Sequence, residues 1–282
     1  MKSQPPIGGQ AVIEGVMMRR GDKVAIAVRN LKNKIVVKKQ GVGSVTKKFP
    51  ILNLPFVRGA VNLIETMKIG MSALSYSANA SIDAKDEKLS SGELLWTMIA
   101  AIAISLGLFI ALPLFLTKLL NVQGVLFNLI DGIIRMGIFM MYLVAISMMR
   151  DVKTLFQYHG AEHKSVNCFE SGKKLTVVNV RKCSKEHRRC GTTFLLIVMA
   201  ISIFVFSFVT SPNFLVKLAS RILLLPVIAG ISYEILKLGA VYQRNFVLNL
   251  IIVPGLWLQG LTTREPTMRQ IEVAIKAIKA VV

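Results

Sequence analysis

The stretch Tyr158-His-Gly-Ala-Glu-His-Lys164, followed by Cys183-Ser-Lys-Glu-His-Arg-Arg-Cys190, is a polar segment set between long apolar runs of a 282-residue chain. It holds all three histidines and two of the three cysteines of the protein. Imidazole and thiolate groups are the usual protein ligands of transition metals. The segment is therefore either a metal site beside apolar helices or a charged loop between them.

The composition is that of a membrane protein with basic segments. Hydrophobic residues make up 53% of the chain, the mean hydropathy is +0.57 and the formal net charge is +20. Of the 35 Lys and Arg residues, 15 lie in 1–93, 10 in 150–193 and 6 in 237–282. Basic residues confined to a few polar segments are typical of multi-pass proteins, whose cytosolic loops are enriched in Lys and Arg. Because membrane orientation accounts for this charge, no nucleic-acid partner is expected.

Four apolar segments approach the roughly 20 residues that a membrane span needs. We predict spans at Leu94 to Thr117, Val125 to Met149, Phe194 to Thr210 and Leu218 to Gly239. A fifth run, Phe246 to Leu258, is short and interrupted by Pro254-Gly255, which favours a re-entrant or packed segment. The fold class is thus mainly α, a polytopic helical membrane protein. Its predicted divisions are 1–93, 94–149, 150–193, 194–239 and 240–282, the last ending in a cytosolic tail.

The connections between these spans predict which side each loop occupies. The links 118–124 and 211–217 carry almost no charge and belong on the translocated side, so both termini and the His/Cys segment are expected in the cytosol. The N-terminus has no apolar signal region, so no cleaved signal peptide is expected. Inside the second predicted span, Asp131 and Arg135 are four residues apart and are interpreted as an internal ion pair.

The region before the first span is expected to contain short elements. Lys23–Arg29 alternates in polarity and Lys34–Lys38 follows closely, which predicts a small β-hairpin with one buried face. Gly8–Met18 is interpreted as a packed N-terminal segment, since its glycine spacing is not that of a phosphate-binding loop. Phe56 to Asn79 is predicted to be an amphipathic helix along the membrane surface. Asp83 to Ser91 is predicted to be a polar linker.

The histidine segment is predicted to be helical from Asp151 to Glu170. The apolar positions recur at helical spacing and continue into His159 and His163, so both imidazoles should face inward. The order His159-x-x-Glu162-His163 is the H-x-x-E-H order of inverted zinc-peptidase helices. In such helices two imidazoles hold one ion, and the carboxylate takes a proton from a water that the metal has acidified.

A catalytic site of this kind needs a third protein ligand and an open position. His187, Cys190 and Glu234 are the candidates, because the predicted topology brings all three to the same membrane face. A closed structural zinc site made of His159, His163, His187 and Cys190 is an alternative, and a metal-free basic loop is another. The surrounding basic residues are expected to face anionic headgroups; they are Lys173, Lys174, Arg181, Lys182, Lys185, Arg188 and Arg189.

Several motifs resemble those of a bacterial family. They are Gly8-Gly-Gln-Ala-Val-Ile-Glu-Gly-Val-Met-Met18, Tyr158-His-Gly-Ala-Glu-His-Lys164, His187-Arg-Arg-Cys-Gly-Thr-Thr-Phe194, Pro254-Gly-Leu-Trp-Leu-Gln259 and Leu261-Thr-Thr-Arg-Glu-Pro266. The chain resembles, over nearly its whole length, the YqhQ-like membrane proteins of unknown function, which are described as metal-dependent enzymes. Arg188 stands where that family more often has Pro. The resemblance implies site roles for Glu14, His159, Glu162, His163, His187, Cys190 and Arg264, and none for Cys183.

These observations predict an integral membrane enzyme of the bacterial inner membrane that uses zinc, or another divalent transition metal, for hydrolysis at the cytosolic face. His159 and His163 are the expected ligands, completed by Cys190 or Glu234, with His187 as a ligand or a hydrogen-bond donor to one. Glu162 is the expected base, and Glu14 and Arg264 are further catalytic candidates. The substrate is a membrane-embedded peptide or a lipid. The alternative is a non-enzymatic scaffold or transport component with a structural metal site.

Overall fold

The computed structural model describes residues 5–45, 49–81 and 91–282, which are mainly helical with an N-terminal antiparallel sheet. The strands are β1 (Ile7–Val12), β2 (Gly15–Arg20), β3 (Lys23–Arg29) and β4 (Ile35–Gly41). The helices are α1 (Val57–Ser81), α2 (Ser91–Leu106), α3 (Leu112–Leu119), α4 (Gly124–Ser147), α5 (Arg150–Glu170), α6 (Val177–Arg181), α7 (Gly191–Ser207), α8 (Phe214–Leu223), α9 (Leu225–Val241), α10 (Phe246–Thr262) and α11 (Met268–Val281). Almost all of the predicted linker lies outside the described residues.

The sheet has four strands in the order β1-β2-β3-β4. The predicted hairpin of Lys23–Arg29 and Lys34–Lys38 is confirmed as the β3–β4 pair. The preceding segment was not expected to form strands, yet Gly8–Met18 falls in a second hairpin, β1–β2. Its two-residue turn places Glu14 at φ +50°, a conformation that few residues other than glycine adopt. The predicted β element is therefore half of the observed sheet.

Strand β3 is covered on both faces, so the prediction of one buried face is wrong for this strand, whereas β4 is largely exposed. Every residue from Val24 to Val28 is buried. The small residues Ala25 and Ala27 face a core shared with α5 and α11, whereas Val24, Ile26 and Val28 face α1. A strand buried on both sides needs no polar alternation. Ala at alternate positions permits the close approach of α11.

The C-terminal segment is not a free tail. α11 packs against β2, β3 and α5, and Ile271, Ala274 and Ile278 are fully buried. Thr267 and Gln270 form a reciprocal cap at its N-terminus, which satisfies two backbone N–H groups that a helix start leaves free. The interpretation of residues after Gly239 as an apolar segment and a tail missed this helix, although its apolar residues follow helical spacing.

The apolar helices agree in part with the four predicted spans. Two are long and apolar enough to cross a membrane, Leu95–Leu119 with 25 residues and Gly124–Ser147 with 24. A third crossing is available if Phe214–Leu223 and Leu225–Val241, bent by 45°, act as one span. α7, at the predicted third span, has 17 residues, fewer than the roughly 20 that span the hydrocarbon core. α10 is also apolar and 17 residues long, with Pro254 inside it.

Buried charges join three of these apolar helices. The predicted ion pair is confirmed, because Arg135 contacts Asp131 at 2.7 Å. Arg221 of α8 contacts the same carboxylate at 3.0 Å and is fully buried. Arg135 also lies 3.5 Å from Ser202 of α7. Asp131 thus holds α4, α7 and α8 together through two arginines.

Candidate metal centre

The predicted histidine helix is confirmed as α5. It packs between β1 and α11, and every residue from Gly160 to Val166 is buried against protein. The rings of His159 and His163, one turn apart, meet edge to face with their centroids 4.3 Å apart. This closeness follows from the four-residue spacing, which stacks side chains on one face of a helix.

Backbone carbonyls orient both imidazoles. His159 Nδ1 lies 2.8 Å from the Thr262 carbonyl oxygen, and His163 Nδ1 lies 2.6 Å from the Lys185 carbonyl oxygen. A carbonyl oxygen only accepts hydrogen bonds, so each Nδ1 carries a proton, and in the neutral ring Nε2 is then the atom that presents a lone pair. Burial lowers the pKa of His163, and this favours its neutral ring. Protein metal sites commonly orient their histidine ligands in this way.

Cys190 is the third member of the group of candidate ligands. It is the N-cap of α7, where its Sγ accepts a hydrogen bond from the Thr192 backbone N–H at 3.4 Å. Sγ also lies 3.3 Å from Nε2 of His159. One ligand atom each from His159, His163 and Cys190 lies within 4.8 Å of the other two. A helix N-terminus favours a negatively charged group, so the position suits a thiolate ligand.

Glu162 is buried between the two histidines and strand β1. Burial is the main cause that raises its pKa, to about 7, against opposing effects of His159 and a hydrogen bond from the Gly9 backbone. Its Oε2 atom is buried without a hydrogen-bond partner among the described residues. A Cβ on Gly9 would lie 3.0 Å from the Glu162 carboxyl carbon and 2.7 Å from the Met17 carbonyl oxygen. The glycine therefore lets the strand approach the carboxylate.

A cavity of about 750 Å³ lies beside these groups. His159, Glu162, His163 and Cys190 form its polar end. The other walls are β1 and apolar side chains of α1, α4 and α7, which include Ile69, Phe139, Leu143, Ile146 and Leu195. The cavity volume is that of a small-molecule or substrate site. The cavity therefore reaches from the ligand cluster to α4, one of the helices that are long and apolar enough to cross a membrane.

Glu234 is not brought to the histidines. Arg58 of α1 holds its carboxylate at 2.6 and 2.5 Å, in a two-pronged ion pair. The helices meet closely there, because a Cβ on Gly59 would lie 2.9 Å from the Gly230 Cα atom. The hypothesis that Glu234 completes the ligand set is not supported by this geometry, and Cys190 takes that place. α1, predicted to lie on the membrane surface, packs against α9 and the sheet.

His187 lines the cavity but lies outside the three-ligand group. Its ring centroid is 5.6 Å from that of His163, and its Nε2 is 3.5 Å from the Glu170 carboxylate. The His187 backbone N–H donates to the Gln259 side-chain oxygen at 2.9 Å. The side-chain NH2 group of Gln259 donates in turn to the His187 carbonyl oxygen. Arg189 also pairs with Glu170. The structure thus gives His187 a role in positioning the segment that precedes Cys190.

Glu14 and Arg264, the other predicted catalytic residues, do not line the cavity. Glu14 accepts a hydrogen bond from the Tyr158 hydroxyl at 3.1 Å, and burial raises the pKa of that tyrosine. Arg264 donates to the Ser147 carbonyl oxygen at 2.9 Å. A Cβ on Gly160 would lie 2.1 Å from the Arg264 carbonyl oxygen. Both residues hold α5 in position and do not contact the ligand cluster.

The sequence-based prediction missed three participants. The carbonyl groups of Thr262 and Lys185 orient the histidines, and a backbone acceptor has no sequence signature. Gly9 lies in the segment that the sequence predicts to be a packed N-terminal stretch, with no predicted role at the site. Its neighbours Gly8 and Gln10 also line the cavity. The segment also contains Ile7, Val12 and Ile13, which favour a strand, and a glycine in a strand often marks the close approach of another group.

Comparisons with known proteins confirm the resemblance and give no reaction. A family model described as "Protein of unknown function (DUF1385)" matches residues 54–282, a range that contains all three ligand residues. The uncharacterized protein YqhQ of Bacillus subtilis (strain 168) is 34% identical over 295 residues, covering 98% of this chain and 92% of that protein. No solved structure matches the chain. Function must therefore be argued from the geometry of the site.

Proposed function

The chain belongs to the DUF1385 family of proteins of unknown function, and we propose that it is a hydrolase dependent on zinc or a similar divalent transition metal, acting at a membrane face. The observation that carries this proposal is the convergence of His159, His163 and Cys190, with ligand atoms within 4.8 Å of one another. Two nitrogens and one sulfur from protein leave a fourth position open in a tetrahedral zinc site.

The side chains around the cluster fit a metal and a reacting water. Neutral imidazoles with protonated Nδ1 atoms are in the state that ligation requires. When bound, the ion would lower the pKa of a water molecule. Glu162, with its unpartnered Oε2, is the residue that would accept a proton from the attacking water and return it to the leaving group. The cavity beside the cluster gives a substrate access to the open position.

Membrane attachment is part of the same proposal. The continuous helical stretch Leu95–Leu119, which contains most of α2 and all of α3, and helix α4 have the length of spans, and α4 also forms one wall of the cavity. The basic segments at 1–93, 150–193 and 237–282 share one side if both termini are cytosolic. Anionic lipid headgroups would contact those segments. On this topology the cluster lies at the cytosolic face of the cell membrane.

The alternative is a scaffold or transport component whose metal holds the 183–190 segment to α5. A structural zinc site is normally closed by four protein ligands, and the described His, Cys, Asp and Glu residues provide a group of three. His187, the fourth ligand of the hypothetical closed set, is turned to Glu170. The buried carboxylate of Glu162 and the adjoining cavity have no role in a structural site. These features favour the enzyme.

Metal analysis of the purified full-length chain in detergent tests the proposal. We expect about one zinc or similar ion per chain, lost in a His159→Ala/His163→Ala double variant and retained in the control His187→Ala. Glu162→Gln should keep the metal and lose function, measured as complementation of a deletion strain. A stoichiometry near zero in the wild-type protein contradicts the metal site. Full complementation by Glu162→Gln with metal retained favours the scaffold.

A further inference from the structure

Strand β1 is an edge of the sheet and runs along the cavity. Val12 pairs with Gly15 across a two-residue turn, so the even-numbered residues of β1 exchange hydrogen bonds with β2. The odd-numbered residues direct their backbone groups away from the sheet. Two observed contacts agree, because the Ile7 carbonyl oxygen accepts from Arg189 and the Ile13 N–H donates to the Ser77 hydroxyl.

Between those two contacts lies an edge with free backbone groups. The Gly9 N–H donates a hydrogen bond to the Glu162 carboxylate. The Gly9 carbonyl and both backbone groups of Ala11 have no hydrogen-bond partner among the described residues. Gly9 and Ala11 are partly exposed and line the cavity. Unpaired strand-edge groups are a template for another strand. A partner that satisfies them needs alternating donors and acceptors.

We propose that the cavity binds an extended polypeptide segment, which pairs with β1 as an added strand next to the ligand cluster. This inference rests on the proposed hydrolase and assigns its substrate class as a peptide. The free groups of Gly9 and Ala11 are two residues apart, about 6.6 to 6.8 Å along a strand, which is the repeat of an extended peptide backbone. A lipid acyl chain has no N–H donors to match them.

The apolar wall indicates which peptides fit. Phe139, Leu143 and Ile146 line the cavity from one face of α4, and seven residues of helix extend about 10 Å. Strand addition takes affinity from the backbone and selectivity from pockets for alternate side chains. The peptide therefore carries apolar side chains at alternate positions. Such segments occur at the ends of membrane spans and in unfolded membrane proteins.

The added strand brings a peptide bond to the proposed base. Gly9 contacts Glu162 directly, so a chain paired with Ala11 and the Gly9 carbonyl continues past the carboxylate and the three ligands. Hydrolysis adds one water across the peptide bond. A C–O bond forms at the carbonyl carbon, the C–N bond breaks, and Glu162 passes the water proton to the departing nitrogen. No oxidant or further co-reactant is required.

Binding of a defined peptide to the full-length protein in detergent tests the inference. The probe is a fluorescent octapeptide of alternating valine and threonine with two terminal glutamates, followed by anisotropy. Its fully N-methylated counterpart cannot donate backbone hydrogen bonds. We expect N-methylation to weaken binding by roughly tenfold or more, since the two hydrogen bonds from peptide N–H groups to the Gly9 and Ala11 carbonyl oxygens, of about 1 kcal/mol each, are lost.

Matched variants place the peptide on β1. Ala11→Pro removes the outward N–H, and proline is tolerated on edge strands. This variant should bind the peptide roughly fivefold more weakly, as the loss of one hydrogen bond implies. The control Ala11→Ser keeps the N–H and should bind the peptide as the wild type does. Equal binding of both peptides to the wild-type protein overturns the inference, whatever the variants do. Tight binding of dansyl-undecanoic acid that the peptide fails to displace also overturns it and indicates a lipid.

Metal content measured on the same samples separates this inference from the proposed function. Ala11→Pro leaves the three ligands intact, so its metal content should equal that of the wild type. Peptide binding with no metal in the wild-type protein refutes the hydrolase and leaves strand addition standing. Metal present without selective binding of the unmethylated peptide refutes the peptide assignment alone.

Discussion

The Nε2 atom of His159 lies 3.3 Å from the Sγ atom of Cys190, a residue 31 positions further along the chain. This contact joins α5 to the start of α7 and completes a group that the two histidines of α5 begin. Each partner is held independently, His159 by the Thr262 carbonyl and Cys190 by the Thr192 backbone N–H. The ligand atoms are therefore placed by the fold before any ion binds.

Replacing Cys190 with serine should remove the metal without unfolding the protein. Serine is a good N-cap, so α7 keeps its first turn while the soft sulfur ligand is lost. Changing only the hydrogen-bond partners of ligands typically costs 10- to 100-fold in metal affinity, and losing the ligand itself should exceed this. Zinc affinity measured by competition with a chelating dye checks it. The matched control Cys183→Ser should bind like the wild type, and similar losses in both variants would argue against Cys190 as a ligand.

Adding one methyl group at Gly9 should disturb the site, whereas adding one at Gly8 should not. The Cβ of Gly9→Ala would meet the Met17 carbonyl oxygen at 2.7 Å and the Glu162 carboxyl carbon at 3.0 Å, while nothing lies within 4 Å of the Cβ of Gly8→Ala. Overpacking of this kind costs about 1–3 kcal/mol. Thermal melting in detergent should show a lower Tm for Gly9→Ala alone. Equal Tm values would mean that β1 and Glu162 are not in contact.

Glu234→Gln should retain the metal and lose stability. The Arg58–Glu234 pair is largely buried, with 23% and 13% of the two side chains exposed. Removing the charge weakens a pair of short charge-assisted hydrogen bonds, each worth about 1.5–3 kcal/mol. Metal analysis and thermal melting of one preparation check both effects. Loss of the ion in Glu234→Gln, with the Tm unchanged, would restore Glu234 as a ligand.

Removing the ion should destabilise the wild-type protein. An ion that binds only the folded state adds stability by mass action, about 2.7 kcal/mol at a free concentration 100 times the Kd. A chelator should therefore lower the Tm of the wild-type chain. The His159→Ala/His163→Ala variant, which has no ion to lose, should melt at the same temperature with and without chelator. A chelator effect of equal size on both proteins would assign the effect to another site.

Local periodicity made part of this structure predictable. The apolar positions of Asp151–Glu170 continue into His159 and His163, so the helix and its inward face follow from spacing alone. The same signal is present in α11, where Ile271, Ala274 and Ile278 repeat at helical spacing after a Thr-x-x-Gln cap, although the segment lies beyond the last long apolar run. Short apolar runs near a terminus resemble tails unless their spacing is tested.

Contacts between residues far apart in the sequence could not be predicted. Nothing in the local sequence of Glu234 shows that Arg58, 176 residues earlier, takes both of its oxygens. The first hairpin was missed because the glycines of Gly8–Val12 weaken the usual strand signal. Those glycines serve the contact of β1 with Glu162. The departures from regular sequence pattern thus coincide with the candidate site.

X-ray absorption at the zinc edge of the purified wild-type protein tests the central claim most directly. We expect one sulfur at about 2.3 Å and two imidazole nitrogens at about 2.0–2.1 Å, with the same sulfur contribution in Cys183→Ser and no bound zinc in Cys190→Ser. Four light-atom ligands without sulfur, or protein that retains no ion after purification in zinc-containing buffer, would contradict the assignment of His159, His163 and Cys190 as a metal centre.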